Sequence, residues 1–418
     1  MPDDLYVNIE NGKEENSLPA GITEVSIITV SNCNDSGPGS LRQSVLNAKS
    51  GDTIDFSSAI LPATIYLYGK GIVIDKALNI KGPGIDKLVV RSDTANIFYI
   101  SDSITITISD MSFVNGSNNG SSAIINRGAI LNITGCTFSN FRTIEYGAAI
   151  YSMYNGIVNI DSCRFINNCA TYGGALSNTS SCTLNVTNSL FFNNSANSGG
   201  AIQNDGVANI TDTVFDKNKA NDRHSGIGGA LGNMGNVNIT RSTFTNNNAA
   251  NSGGSVGNIS NTVTITDCMF DNNIAIYGGA IGNFSKGTVN IINSTLSNNR
   301  SFSGAALVND GTASIIKSTF TNNSSSYDGG ALGNLGAVSI NSVIFTGNRA
   351  CFSGGAIVNF SYGLVDCSDV TFINNFAIKG GKIANFCNNT LTVSNSVSRD
   401  NSTPHIFGKV IFTDSTEI

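Results

Sequence analysis

Apolar and polar residues alternate along most of this chain in short stretches. In residues 236–240, which read NVNIT, Val237 and Ile239 are apolar whereas Asn238 and Thr240 are polar. Such a period of two is typical of a strand with one face toward a core and the other toward solvent. The pattern therefore predicts many short strands, and few helices.

Phenylalanine marks a repeat within this pattern. A block similar to Phe-x-Asn-Asn returns every 24 to 29 residues. A period of 20 to 50 residues indicates a solenoid, a propeller or an array, and propeller blades and leucine-rich repeats do not fit this pattern. We therefore predict an all-β fold, a single-stranded right-handed parallel β-helix (a solenoid) of about a dozen coils. The marker positions are Phe113, Phe138, Phe165, Phe191, Phe215, Phe244, Phe270, Leu296, Phe320, Phe345 and Phe372.

Each repeat carries two pairs of residues that predict bends. After Phe244, the first pair is Asn246 and Asn247. Asparagine tolerates left-handed backbone geometry and bonds its own main chain, which suits a tight corner. The second pair is Gly253 and Gly254, where side chains would obstruct the chain. We expect both pairs to turn corners of the coil.

A further asparagine follows the glycine pair, two residues after an apolar position. In stacked coils these side chains would point inward and align about 4.8 Å apart. A buried amide costs free energy unless it is paired, and a column of amides can pair with itself. The sequence therefore predicts a structural asparagine ladder, with ligand binding as the alternative role. Its members are Asn178, Asn204, Asn233, Asn258, Asn283, Asn309, Asn334, Asn359 and Asn385.

The N-terminal part lacks the repeat. In residues 36–56, Leu41, Val45 and Ala48 fall on one face at helical spacing. A short helix there would cover the open end of the first coil, which otherwise exposes core and unpaired strand edges. We predict an N-terminal segment with this capping helix (1–56), irregular early coils (57–112), regular repeats of about 26 residues (113–390) and a C-terminal coil or cap (391–418).

Composition disfavours several classes of protein. Among 418 residues 12% are charged, and the net charge of −6 is spread thinly, so no nucleic acid partner is expected. No run of 18 apolar residues predicts a transmembrane segment. Residues 1–21 are acidic and polar, unlike a secretory signal. We expect export by another route, or a signal already removed.

The nine cysteines form no CxxC pair, and the sequence predicts neither a metal nor a cofactor. Cys136, Cys163 and Cys268 each precede the marker phenylalanine by two residues. Cys136 and Cys163 would therefore be neighbours in adjacent coils, within disulfide range but with parallel side chains that make the torsion awkward. We expect free stacked thiols, with a disulfide as the alternative.

The Gly-Gly-Ala-Ile and Phe-x-x-Asn repeats resemble those of chlamydial polymorphic outer-membrane proteins and related adhesin-like β-helix proteins of bacteria and archaea. Residues 39–56, GSLRQSVLNAKSGDTIDF, are similar to the Ser-Leu-Arg-containing start of many extracellular right-handed β-helix proteins. Together these features cover about residues 33 to 390. The resemblance implies an extracellular or cell-surface location. Because those membrane proteins carry a signal peptide and a C-terminal barrel that this sequence does not show, we expect a passenger module.

Three functions are compatible with this fold. The first is a non-catalytic, adhesin-like rod whose Ser, Thr and Asn face binds glycans or cell-surface molecules. The second is a polysaccharide-active enzyme, a lyase or glycoside hydrolase, because right-handed β-helices host such enzymes. The third is a structural spacer. We favour the adhesin, and therefore no enzymatic activity; the oligomeric state is left open.

Candidate ligand-binding residues fall in two groups. The longest repeat, residues 215–229, carries Asp216, Lys219, Asp222, Arg223 and His224, which either form a binding loop or simply face water. Tyrosines near the glycine pair can form an aromatic stripe that stacks on sugar rings, or can merely shield the bend. These tyrosines are Tyr146, Tyr172, Tyr277 and Tyr327.

The enzyme alternative depends on paired carboxylates. Three residues before the marker phenylalanine, successive coils carry Asp212, Arg241, Asp267, Asn293 and Lys317. The alternating charges suit mutual neutralisation at a solvent-facing corner. Asp212 and Asp267 would lie two coils, or roughly 10 Å, apart, which is at the far edge of the geometry of an inverting glycosidase.

Overall fold

The computed structural model describes residues 25–93, 95–115, 120–360 and 362–417. The protein is a right-handed parallel β-helix of about 14 turns with almost no helix. The fold predicted from the repeat is therefore confirmed. Residues 1–24 of the predicted N-terminal segment lie outside the described residues.

Each regular coil contributes one strand to each of three faces, and strands of successive coils pair in parallel. Face 1 contains the alternating strands. They are Ile27–Val30, Thr53–Phe56, Leu78–Lys81, Thr105–Ser109, Ile130–Thr134, Ile157–Asp161, Thr183–Thr187, Val207–Thr211, Asn236–Thr240, Thr312–Ile316, Ala337–Asn341, Leu364–Ser368, Leu391–Ser394 and Val410–Thr413.

Face 2 contains the marker phenylalanines and has 15 strands. They are Ala63–Leu67, Leu88–Ser92, Ser112–Asn115, Thr137–Ser139, Arg164–Ile166, Leu190–Phe192, Val214–Asp216, Thr243–Thr245, Met269–Asp271, Thr295–Ser297, Thr319–Thr321, Ile344–Thr346, Thr371–Ile373, Val397–Arg399 and Thr416–Glu417.

Face 3 follows the glycine pair in the regular coils. Its strands are Ile72–Ile74, Phe98–Ile100, Ile124–Arg127, Ile150–Met153, Leu176–Asn178, Ile202–Asn204, Leu231–Asn233, Leu307–Asn309, Leu332–Asn334, Ile357–Asn359, Ile383–Asn385 and Ile406–Phe407. Two long strands, Val256–Thr266 and Ile281–Ile292, run through faces 3 and 1 and join them into one sheet of 28 strands.

Short elements complete the coils. Between faces 2 and 3, six strands form two small sheets, and a single 3-10 turn precedes the first strand of face 2. The six strands are Ser195–Ala196, Lys219–Ala220, Asn248–Ala249, Arg300–Ser303, Ser324–Asp328 and Arg349–Ala350, and the turn is Ser58–Ile60.

The marker phenylalanines form a column inside face 2. Phe215, Phe244 and Phe270 pair in register and are fully buried, with ring centroids 4.6 and 4.7 Å apart. Near-parallel rings at this spacing gain attraction beyond the area that they bury. Val237 and Ile239 of face 1 are also buried. The core is therefore the interior of the stack, continuous from coil to coil.

The corners are turned by residues in the left-handed region. Asn246 has a φ of 56° and Gly253 a φ of 65°. A Cβ on Gly254 would lie 1.9 Å from the carbonyl oxygen of Gly279 in the next coil, so only glycine fits there. The glycine pair therefore bends the chain as expected. Of the asparagine pair, only the first residue has a positive φ, because Asn247 has a different role.

A helix covers the N-terminal end, as predicted. Helix α1 spans Leu41–Asn47, and the Ser40 side chain caps it by accepting a hydrogen bond from the Gln43 N–H. Its residues Leu41 and Val45 are buried. The apolar residues that the sequence places on one face of the helix therefore pack on the stack.

Arg42 and Asp52 attach this helix to the coils. The Arg42 guanidinium donates to the Asp35 carboxylate (2.7 Å) and to the carbonyl of Gly71 (3.1 Å). The buried Asp52 carboxylate accepts from the N–H of Lys49 (2.7 Å) and from the N–H and hydroxyl of Ser26 (3.0 and 2.9 Å). These hydrogen bonds, that from Lys49 first, lower the pKa of Asp52.

Candidate functional site

The predicted asparagine ladder lies inside face 3. In its centre, Asn233 Nδ2 donates to Asn258 Oδ1 (2.9 Å), and Asn258 Nδ2 donates to Asn283 Oδ1 (2.9 Å). The same bond joins every adjacent pair from Asn178 to Asn385, at 2.7 to 2.9 Å. The side chains are buried and their amides face each other, so their contacts are structural.

The ladder stops at Ser152, which takes the register position between Asn126 and Asn178. Asn126 Nδ2 donates to the Ser152 hydroxyl (3.3 Å). Asn178 Oδ1 has no hydrogen-bond partner in the protein, and a cavity of about 10 Å³ lies beside both residues. The serine is therefore too short to continue the column.

A second buried column, which sequence reasoning missed, follows face 2. Asn247 Nδ2 donates to Asn273 Oδ1 (3.1 Å) and to the Phe215 carbonyl (2.9 Å), while Asn247 Oδ1 accepts from the N–H and the Nδ2 of Asn218 (2.9 and 3.1 Å). The partners in these four hydrogen bonds all belong to other coils of the stack. The column comprises Asn168, Asn194, Asn218, Asn247, Asn273, Asn299, Asn323, Asn348, Asn375 and Asn401.

The charged corner proposed for an enzyme is neutralised by pairing. Arg241 Nε and Nη2 donate to the two carboxylate oxygens of Asp212 (2.9 and 2.8 Å). This hydrogen bonding lowers the pKa of Asp212, so its carboxyl stays ionised and is unsuited to be a general acid. Asp267 accepts a hydrogen bond from Asn293. Arg241 stands between the two carboxylates in the stack.

The long repeat does not gather its charged residues into one site. Asp216 ends a strand of face 2 and accepts hydrogen bonds from Asn246 (2.7 Å) and Thr245 (3.2 Å). Asp222 folds the loop back on itself by accepting from the His224 N–H (2.9 Å) and the Ser225 hydroxyl (2.7 Å).

The other charged candidates of this repeat are exposed to solvent. Lys219 lies on a short strand, where it pairs with Asn248 of the next coil. The Lys219, Arg223 and His224 side chains are all exposed. Asp216 and Asp222 therefore have separate hydrogen-bond partners. Only Ser225 and Ile227 of this repeat reach the groove described next.

The outer surface of face 3 is a shallow groove along the rod. Near its N-terminal half, Tyr172 lines a cavity of about 350 Å³ together with Gln203 and Ile227. Tyr146 stacks on Tyr172 and on Tyr151, with both centroid distances 5.4 Å. The first two predicted tyrosines therefore lie together at this groove.

A longer aromatic row borders the other half of the groove. The Phe302 ring stacks on Tyr327 (5.0 Å), Tyr327 contacts Phe352 (5.0 Å), and Tyr277 meets Phe302 edge-on (6.4 Å). All four side chains are 42 to 48% exposed. We call Tyr277, Phe302, Tyr327 and Phe352 the aromatic row. Sequence reasoning found two of its members and missed both phenylalanines.

Small or apolar residues form the floor and the far wall of the groove. Gly232, Gly257, Gly282 and Gly333 take the outward position on face 3, where Val308 and Val358 alternate with them. Opposite the aromatic row, Leu335 and Phe360 line a cavity of about 280 Å³ with Phe302, Tyr327 and Val308. This arrangement gives a flat channel bordered by rings.

One carboxylate interrupts the apolar lining of this cavity. Asp328 is only 7% exposed, and its Oδ1 has no hydrogen-bond partner in the protein. Burial raises the pKa of Asp328, and a hydrogen bond with Ser353 of the next coil opposes that rise. The position of Asp328 beside Gly329 would suit a turn residue, but the Asp328 side chain lines the cavity.

The cysteines are free thiols throughout the described residues. Cys163 Sγ accepts a hydrogen bond from the Cys136 N–H (3.4 Å), so the two side chains are vertical neighbours without a disulfide. Burial raises the pKa of Cys163 to about 12 and that of Cys268 to about 11. These thiols are therefore protonated and unreactive at neutral pH.

Two general findings limit the kinds of site that this surface offers. Within the described ranges, no three His, Cys, Asp or Glu side chains come close enough together to hold a metal ion. No helix in the described part of the chain has the length and apolar character needed to cross a bilayer.

Comparison with known proteins supports the repeat and the fold. Residues 188–205 and 317–334 match the Chlamydia polymorphic membrane protein repeat. Both stretches include a marker phenylalanine, an asparagine pair, a glycine pair and a ladder asparagine. The resemblance recognised in the sequence is confirmed for these repeats. No curated protein matches the chain.

The search of solved structures found similar chains at low sequence identity. Tailspike protein 3 of bacteriophage CBA120 has a TM-score of 0.50 at 15% identity, over 90% of this chain and 58% of its own. This chain thus spans little more than half of the tailspike. The alginate lyase AlyF-OU02 has a TM-score of 0.40 at 12% identity, over 95% and 86% of the two chains. A mannuronic acid specific lyase from human gut microbiota scores 0.35 at 10% identity, over 94% and 83%.

Proposed function

We propose that this protein is a non-catalytic, adhesin-like rod that binds glycans of cell surfaces or of the extracellular medium through the groove on face 3. The observation that carries the proposal is the aromatic row. Phe302, Tyr327 and Phe352 lie in three successive coils at ring distances of 5.0 Å. The matches to the polymorphic membrane protein repeat support an extracellular or cell-surface location.

Exposed aromatic rings are costly unless a ligand covers them. A contiguous apolar patch on a soluble protein usually marks a binding surface. The row offers four half-exposed rings above a floor of glycine and valine, which lets a flat ligand approach the rings. The coil spacing of about 4.8 Å is comparable to the length of one sugar ring in an extended chain. A polysaccharide running along the rod would meet one ring per coil.

The enzyme alternative has weaker support. Asp212 is paired with Arg241, and Asp267 accepts a hydrogen bond from Asn293, so each carboxylate already has a partner in the adjacent coil. Both lie at the corner between faces 1 and 2, and the aromatic row borders face 3. A binding role for the row needs no such pair, and a spacer would need no row.

Retention on immobilised polysaccharides tests the proposal. The purified chain is applied to neutral and acidic polysaccharides with and without calcium, and both retention and shortening of the polysaccharide are followed. We expect retention without shortening. Shortening would establish the enzyme alternative, and the absence of both would leave the spacer.

Tyr327→Ala identifies the surface responsible. Loss of a stacking ring costs about 1.5 kcal/mol, or roughly a tenfold fall in affinity. Tyr68→Ala is the matched control, because Tyr68 is an exposed tyrosine that follows a strand of face 2. Equal retention of both variants and the parent chain would place binding elsewhere on the molecule.

A further inference from the structure

The coil that contains Tyr327 and Asp328 differs from the one before it. Ser301 pairs with Ser325, but Ser303 pairs with Asp328, so the strand Ser324–Asp328 carries one extra residue in a β-bulge. Bulges often re-aim side chains beside functional sites. Tyr327 and Asp328 are the last two residues of this strand, and both line the cavity at the groove.

The surroundings of Asp328 are unusual for a carboxylate. The cavity that it lines is otherwise bordered mainly by Tyr277, Phe302, Leu335 and Phe360. A buried acceptor without a donor costs free energy, so it is kept where something else supplies the donor. Because no protein group holds Oδ1, turning the carboxylate toward a ligand breaks no hydrogen bond at that atom.

We propose that this cavity is a subsite for one uncharged sugar ring, which packs against Phe302 and Tyr327 while its hydroxyl groups donate hydrogen bonds to Asp328. This inference rests on the proposed glycan binding and adds the chemical class of the ligand. A cavity of about 280 Å³ has the size of a small ligand site.

Charge decides which sugars fit. No Arg or Lys is among the described residues that line the cavity, and Lys379, whose charge favours the ionised form of Asp328, is not one of them. No lining cation therefore pairs with the carboxylate of a uronic acid. A uronate would instead face Asp328 across an apolar space, where repulsion between like charges is weakly screened. Neutral, hydroxyl-rich chains satisfy Asp328 without that penalty.

The test compares matched neutral and uronate oligosaccharides by calorimetry. For the wild-type chain we expect at least tenfold tighter binding of the neutral member of each pair. Asp328→Asn keeps a polar group of the same shape but removes the charge, so uronate binding should rise and the preference should fall below about threefold. Asp328→Leu removes the acceptor and should weaken neutral binding about tenfold. Asp75→Asn, at an exposed aspartate far along the chain, is the charge control.

The outcomes separate this inference from the proposed function. If neither oligosaccharide binds the wild-type chain, the proposed function fails. If the neutral one binds and Tyr327→Ala weakens that binding about tenfold, but both Asp328 variants match the parent chain, the function stands and the subsite is wrong. Equal binding of uronates by the wild-type chain would also overturn the subsite. Circular dichroism confirms that each variant keeps the β-helix.

Discussion

Asparagine serves three purposes within a single coil. Asn246 turns a corner in the left-handed region, Asn247 joins one buried column, and Asn258 joins another. The corner and the second of these columns follow from the sequence, because the residue type and the period suffice to place them. The role of Asn247 does not follow from the sequence. A residue that turns a corner and a residue that joins a buried column both recur once per coil, so the repeat cannot distinguish them.

The break in the ladder predicts a stabilising substitution at the residue scale. In Ser152→Asn, the new Nδ2 can donate to Asn178 Oδ1, and its carbonyl can accept from Asn126 as other members of the column do. We expect the free energy of unfolding to rise by about 1 kcal/mol, since a buried hydrogen bond contributes about that much.

Urea unfolding measures this change. Ser152→Ala is the control, because it removes the hydroxyl to which Asn126 donates and should lower stability by about 1 kcal/mol. If the asparagine and alanine variants are destabilised equally, Asn178 is satisfied in some other way and the explanation of the break is wrong.

At the scale of the strand, the sequence predicts what faces inward better than what faces outward. The alternation of Val237 and Ile239 with polar residues places a face 1 strand without ambiguity. The aromatic row was only partly predictable, because Phe302 and Phe352 occupy a position that carries Asn251 in an earlier coil. Aligning that position across coils is the signal that would have found them.

The phenylalanine column predicts a large loss on truncation. Phe244→Ala leaves a cavity between two buried rings, and we expect a loss of about 3 to 5 kcal/mol in the free energy of unfolding. Phe244→Leu should cost clearly less, because Leu296 occupies the same column and is fully buried.

Phe302→Ala is the surface control for this comparison. Its ring is 44% exposed and contacts Tyr277 and Tyr327, so its removal should cost about 1 kcal/mol, clearly less than the loss at Phe244. Equal destabilisation by the alanine variants at 244 and 302 in chemical denaturation would contradict the distinction between a core column and a ligand surface.

The attachment of helix α1 predicts a dependence on pH. The lowered pKa of Asp52 means that its ionised form stabilises the folded state at pH values above about 3.9, its value in an unfolded chain. That stability is lost as the pH falls through the lower pKa of the folded state. Asp52→Asn should therefore be less stable than the parent chain at pH 7, and the difference should shrink below about pH 4.

Thermal unfolding at pH 7 and pH 3 measures the effect. Asp75→Asn, at an exposed carboxylate, should show no such convergence. A constant difference between the Asp52 variant and the parent chain at both pH values would show that the side chain acts through packing and not through its charge.

At the scale of the whole molecule, stability comes from contacts between neighbouring coils. Each coil shares its phenylalanine, two amide columns and three strand pairings with the next, so the fold is a sum of similar interfaces. The period therefore predicts the rod, whereas the proposed subsite depends on a residue that departs from the consensus of the coils. Asp328 is such a departure, because the positions that pair with it in the flanking coils carry Ser303 and Ser353, and the period alone does not predict a carboxylate there.

The strand pairing also determines how the rod bears force. In a parallel β-helix, the hydrogen bonds between coils run along the axis of the rod. A pull along that axis loads the interfaces one after another, so coils would peel away singly from an end. A ligand held along the groove on face 3 contacts several coils at once. It would distribute a tangential load over those coils together, so the rod would resist a sideways load better than a pull on one end.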